Sequence, residues 1–178
     1  FLRSRLDTTR ALHDAVEKAE NPPAVWMNAS SATIYRYAID RAQTEADTEF
    51  DTGFSPDVAL AWEEELFRGE LPGTRRVAMR ITIVLGDGAA TDLFFRLARW
   101  GIGGTQFDGW WFPHRRYRGI GPHPTEPEQP LGKRSKGRQR FSWIHIDDLV
   151  GAVRFVRDDP SIEGPVNFSA PTQTDTRG

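Results

Sequence analysis

The chain has 178 residues, 38% hydrophobic and 27% charged, with a formal net charge of -2. That suffices for one buried core and gives no electrostatic pointer to nucleic acid or an acidic partner. There is no cysteine, which excludes disulfides, thiolate catalysis and cysteine-based zinc sites. No apolar run approaches the roughly 20 residues of a membrane span, and the arginine-rich start lacks a signal-peptide core. The cytoplasm is the default compartment. Lys18, Lys133 and Lys136 are the only lysines, so candidates for a catalytic ammonium are few.

Leu2, Leu6, Thr9, Leu12, Val16 and Ala19 recur at three- and four-residue steps, which predicts a helix over 3–20. Asn21-Pro22-Pro23 stops it, since proline cannot continue the ladder. "AVWMNAS" (24–30) reads as a short buried strand. It runs into Ser30, Ser31, Thr33 and Tyr35, short polar groups at the end of a strand. Residues 36–53 are charged and without period, a loop. A helix over 56–68 starts at Ser55, with Val58, Trp62 and Leu66 on one face.

"RRVAMRITIVLG" (75–86) alternates and then turns continuously apolar, as a buried parallel strand does. Residues 89–100 suit a helix ending at Gly101. "RFSWIHI" reads as a strand, "DDLVGAVRFVRDD" as a helix capped by Asp147 or Asp148, and "GPVNFSAP" as a last strand. The alternation implies a parallel sheet with helices on its faces. The strands at 24–30, 77–85 and 165–169 are expected adjacent or nearly so.

Taken singly, the motifs are modest. "VLGDGAA" lacks the third glycine of a phosphate-binding fingerprint. "WIHIDD" reads as a strand and a capping aspartate before a His-Asp pair or a metal site, and no metal is expected. "SSAT" is either a polar strand end or the wall of an active site.

In combination, "SRLDTTRALHDAV", "NASSATIY", "AWEEEL", "RITIVLG", "GRQRFSWIHIDDLVGAVRFV" and "GPVNFSAP" resemble atypical short-chain dehydrogenases. The branch is that of epimerase-family, NAD-dependent epimerase/dehydratase-like proteins, some labelled SulA-like. The resemblance covers nearly the whole chain. It implies an α/β, Rossmann-like parallel sheet with helices on both faces, and part of a small C-terminal substrate subdomain. It assigns residues 1–86 to a partial nucleotide-binding domain. Residues 87–178 become a substrate-side subdomain that carries an insertion over about 105–140 and then returns to the sheet.

The family's Gly-rich strand-turn-helix, which binds the pyrophosphate, has no match here. The chain therefore reads as an interior piece of a longer protein, or as a product truncated at both ends and inactive by itself. The resemblance implies NADP or NAD as cofactor and a small-molecule substrate. It puts Ser31 at the catalytic serine and Ser30, Thr33 and Trp143 at the substrate, with Ala29 and Ile83 toward the cofactor.

The family's Tyr-x-x-x-Lys pair is missing from "TGFSPDVALAWEEE", which contains neither residue. Tyr35 is the candidate substitute, reaching a pocket from the loop, while Tyr37 reads as packing or surface. Between Trp110 and Arg140 eight Lys/Arg face two Glu, a net +6 that leaves -8 for the rest. A covering loop is the first reading of this insertion. A lid over an anionic ligand is the second, since arginine forks suit phosphate, and a nucleic-acid patch is the third. Two functions stay open: an NAD(P)-dependent oxidoreductase or epimerase-like enzyme, and a non-catalytic NAD(P)-binding sensor or scaffold. Neither the substrate nor the oligomeric state is legible.

Overall fold

The computed structural model describes residues 2–36, 38, 41–88, 91–92, 96, 99–100, 140–172 and 174–175. Its elements in chain order are α1 (Leu2–Glu17), β1 (Val25–Ser31), a 3-10 turn (Ala32–Ile34), α2 (Phe54–Leu66), β2 (Arg75–Ile81) and β3 (Ile83–Leu85). Then follow β4 (Arg140–Phe141), β5 (Trp143–His145), α3 (Ile146–Asp158), β6 (Gly164–Phe168) and β7 (Thr174–Asp175). Of the helix expected over 89–100, helical bonds from Asp92 N–H to the Gly88 carbonyl and from Trp100 N–H to the Arg96 carbonyl are described. Tyr37 and nearly all of the basic insertion lie outside the described residues.

The three long strands form a parallel sheet in the order β1-β2-β6, as the alternation predicts. β3 and β5 pair in parallel, with Ile83 beside Trp143. β4 and β7 pair antiparallel, which the sequence did not suggest, because two-residue strands leave no period to read. The strand expected over 77–85 is interrupted at Thr82. There the backbone N–H and the hydroxyl both donate to the Phe168 carbonyl, so the chain leaves β1 behind and passes to β5.

Period two divides the sheet into two faces. On one, Met27, Val77, Met79, Val166 and Phe168 pack with Leu149, Val153 and Val156 of α3 around fully buried Val77. The other lies under α2, which packs in turn on α1. Two adjacent arginines at the start of β2 serve the two faces in turn. Arg75 donates to the carbonyls of Val156, Arg157 and Ile162 at the end of α3. Arg76 donates to those of Leu66, Arg68 and Gly69 at the end of α2. Each guanidinium thus meets the negative end of the helix on its own side.

The caps differ from expectation. α2 begins after Gly53, whose φ of 138° suits glycine, and Ser55 is already inside the helix. α3 is capped by His145, whose Nδ1 accepts the Asp147 N–H. β5 runs into α3 without a linker, so the aspartates fall in the first turn, where negative charge is favoured. On α1 the buried positions are Thr9 and His13, while Leu12 is 45% exposed.

Candidate functional site

Ser30 and Ser31 end β1 and, as neighbours in a strand, face opposite sides. Ser30 points under α2. It is buried, and its hydroxyl donates to Glu63 Oε1 at 2.5 Å. Its register partner Arg80, 3% exposed, grips the same carboxylate with Nε and Nη2 at 3.0 and 2.8 Å. Arg80 Nη1 donates to the Tyr35 hydroxyl at 2.8 Å, and that hydroxyl donates to Asn167 Oδ1 at 2.7 Å. The rings of Tyr35 and Phe50 stand 5.1 and 5.5 Å from the guanidinium carbon, within cation–π range.

Burial works to lower the Arg80 pKa. The hydrogen bonds and charge of Glu63 and the bond to Tyr35 outweigh it and raise the value, so the guanidinium is firmly cationic. The network continues into the charged loop. Glu45 accepts the Asn167 N–H at 2.7 Å. Arg36 pairs with Glu49, and Arg41 with Asp47 and Glu49. The loop, read as aperiodic, is thus braced internally by ion pairs and joined to β6 by the Glu45 carboxylate.

Ser31 lies on the other face, in register with Ile81 and two residues after Ala29. Its Oγ accepts the Thr33 hydroxyl at 2.9 Å and the Thr33 N–H at 3.3 Å. Both lone pairs are then used, and its own proton has no acceptor among the described residues. A hydroxyl in that state can only donate, and accepting two bonds polarises it. It suits a ligand acceptor oxygen such as a carbonyl.

The structure therefore gathers Ser31, Thr33 and Ala29 at one strand end. Ile83 follows Ile81 by two residues and pairs with half-buried Trp143. Ala29 is exposed although it lies inside a strand, and Ile83 is 42% exposed. Ser30 and Tyr35 belong instead to the network below the sheet. Glu63, Arg80 and Asn167 were missed by sequence reading. An arginine inside an apolar strand, opposite a helix carrying three consecutive glutamates, was the available signal, because a buried charge demands a partner.

No family model matches the chain. It is 28% identical over 177 residues to the epimerase family protein YfhF of Bacillus subtilis, covering 99% of this chain and 49% of that protein. It is 31% identical over 172 residues to the epimerase family protein SSP1921 of Staphylococcus saprophyticus, covering 96% and 48%. The crystal structure of the human epimerase family protein SDR39U1 with NADPH superposes with a TM-score of 0.74 at 28% identity, covering 98% of this chain and 50% of that one. The nucleoside-diphosphate sugar epimerase of Corynebacterium glutamicum, at 24% identity and a TM-score of 0.71, shares the fold, over 97% of this chain and 31% of that one. The chain spans about half the length of the curated relatives it matches. Along its own length the chain is thus similar to about half the length of the epimerase family proteins and shares the fold of NAD-dependent epimerase/dehydratase-like proteins.

Proposed function

We propose that this chain is part of an NAD(P)-dependent, epimerase-like oxidoreductase and works only together with the glycine-rich nucleotide-binding unit it does not contain. The observation that carries the reading is Ser31: a hydroxyl held as a pure donor by Thr33 at the open end of a parallel strand. Such a donor orients a carbonyl or developing alkoxide oxygen. Residues 87–178 would form the substrate side, with Trp143 in its wall, and the net +6 of the stretch from Trp110 to Arg140 suits an anionic small molecule.

The cofactor, when bound, supplies the hydride. The residues present fit only one end of it. Ala29, two residues before Ser31, and Ile83, beyond the break at Thr82, offer exposed, uncharged surface, which suits a flat uncharged ring. The chain has no glycine-rich turn for the pyrophosphate. Tyr35 is the candidate phenol, with Arg80 as its cationic partner where a lysine is missing, but its hydroxyl is held in the network on the face opposite Ser31. Proton transfer through it requires the hydroxyl to exchange Asn167 for substrate. That existing bond favours the second reading, a non-catalytic NAD(P)-binding sensor or scaffold in which Tyr35 is structural.

Two measurements test this. NADPH titrated into the isolated chain by calorimetry should bind weakly or not at all; a low-micromolar constant, about -8 kcal/mol, contradicts the dependence on a second part. With the nucleotide-binding part restored, Ser31→Ala should lower kcat/KM by about 10- to 1000-fold. Unchanged turnover in Ser31→Ala and Tyr35→Phe leaves the sensor reading.

A further inference from the structure

We propose that the C-terminal end of α1 binds a divalent first-row transition-metal ion through His13, Asp14 and Glu17. One ring nitrogen of His13 and one carboxylate oxygen from each acid lie within 4.8 Å of one another. Acids on a helix surface alone would mean little. The second observation is the imidazole itself.

His13 is 5% exposed. Its Nε2 stands 2.8 Å from the Arg68 carbonyl oxygen. A carbonyl only accepts, so Nε2 carries the hydrogen and the neutral ring keeps its lone pair on Nδ1. Nδ1 is buried and has no hydrogen-bond partner. A buried acceptor with no donor is a cost to the fold, and a cation removes it. One ring N–H given to a backbone carbonyl, with the other nitrogen left bare, is the arrangement that orients a metal-ligating histidine.

The surroundings agree. His13 and Glu17 are four apart on one helix face. Glu17 closes α1, whose last turn holds no basic side chain, so the negative end of the helix dipole adds to the two carboxylates. One nitrogen with two oxygens suits zinc and its neighbours, whereas magnesium and calcium prefer oxygen alone. Three protein ligands leave room for water. Arg68 is the resident competitor, with Nη2 3.6 Å from Asp14 Oδ1. Its Nε also pairs with Glu65 at 2.9 Å, so Arg68 keeps an anion when Asp14 turns to the metal. Because Arg68 follows α2, the His13–Arg68 bond makes the ion a tie between the two helices.

The test is zinc chloride titrated into the chain by calorimetry, with thermal unfolding followed in parallel. One zinc per chain and a midpoint raised by several degrees are expected, because the ion binds the folded state. Asp14→Asn and Glu17→Gln alter exposed groups and should keep the fold, each weakening zinc by about tenfold or more. Excess magnesium should not displace zinc. Absence of binding at about 100 μM zinc, where mass action fills a micromolar site, overturns the proposal. So does an affinity unchanged in the Asp14→Asn/Glu17→Gln double variant, which assigns the ion to other histidines.

Discussion

Replacing Arg80 by methionine keeps most of the side-chain length and removes the charge. Arg80 is 3% exposed and Glu63 8%, so the carboxylate would stay behind with Ser30 as its remaining hydrogen-bond donor. Leaving one member of a buried pair uncompensated costs about 3–5 kcal/mol. The lost contacts to the Tyr35 and Phe50 rings add about 0.5–1 kcal/mol each. Against a typical domain stability of about 5–15 kcal/mol, the variant should be severely weakened. Glu63→Leu strands the opposite charge and should cost a similar amount. Arg80→Met with Glu63→Leu removes both charges, and its cost should fall well short of the sum of the two. Urea unfolding followed by tryptophan fluorescence and circular dichroism measures all three. The difference should change little with salt, because the pair is hidden from screening. A loss below about 1 kcal/mol for Arg80→Met, or a double variant additive within about 0.5 kcal/mol, would refute the reasoning.

The loop should respond to acid in a defined window. The Thr44 backbone N–H, opposed by slight desolvation and aided by the Thr44 hydroxyl and Arg41, holds Asp47 below the usual carboxylate range. Its stabilising effect is complete above the unfolded value near 3.9 and is lost as pH falls through the lowered folded value. The Asp47 carboxyl carbon should therefore titrate by NMR with a midpoint under the unfolded value; a midpoint at or above it contradicts the Thr44–Asp47 contact. At Gly86 an added Cβ would sit 2.6 Å from Ile146 Cγ2 and 3.0 Å from its Cβ. Gly86→Ala should cost about 1–3 kcal/mol, and Ile146→Ala in the same chain should recover most of it in a thermal melt.

What could be read from the sequence was what period and punctuation encode. β1, β2 and β6 were legible as short strands between helix patterns and turn residues, and their parallel order followed from the alternation with helices. What could not be read depended on partners distant in the chain. α1 presents His13 inward and Leu12 outward because Thr9 and His13 meet Trp62 and Arg68 of the neighbouring helix end. No property of residues 2–17 alone selects that face. α3 was expected to start at an aspartate, the usual cap, but β5 delivers His145 to the cap position and its ring nitrogen does the same work. The loop over 36–53 has no period because ion pairs hold it.

The two serines show this limit at the site itself. In "NASSAT" they are adjacent and chemically alike, and only the register of β1 on β2 gives them different work. Ser30 pairs with Arg80 and donates to Glu63; Ser31 pairs with Ile81 and accepts from Thr33. The division predicts a crossed result. Ser30→Ala removes a hydrogen bond to a buried charge and should cost about 1.5–3 kcal/mol, with ligand binding intact in whatever folds. Ser31→Ala removes the cap that accepts the exposed Thr33 N–H and hydroxyl, so stability should fall by about 0.5–1 kcal/mol, less than for Ser30→Ala, while turnover in the completed protein falls. Chemical denaturation and steady-state kinetics on the two variants, measured side by side, separate the effects. If Ser30→Ala spares stability and abolishes turnover, the faces have been assigned the wrong way round, and the network around Glu63 is the active site.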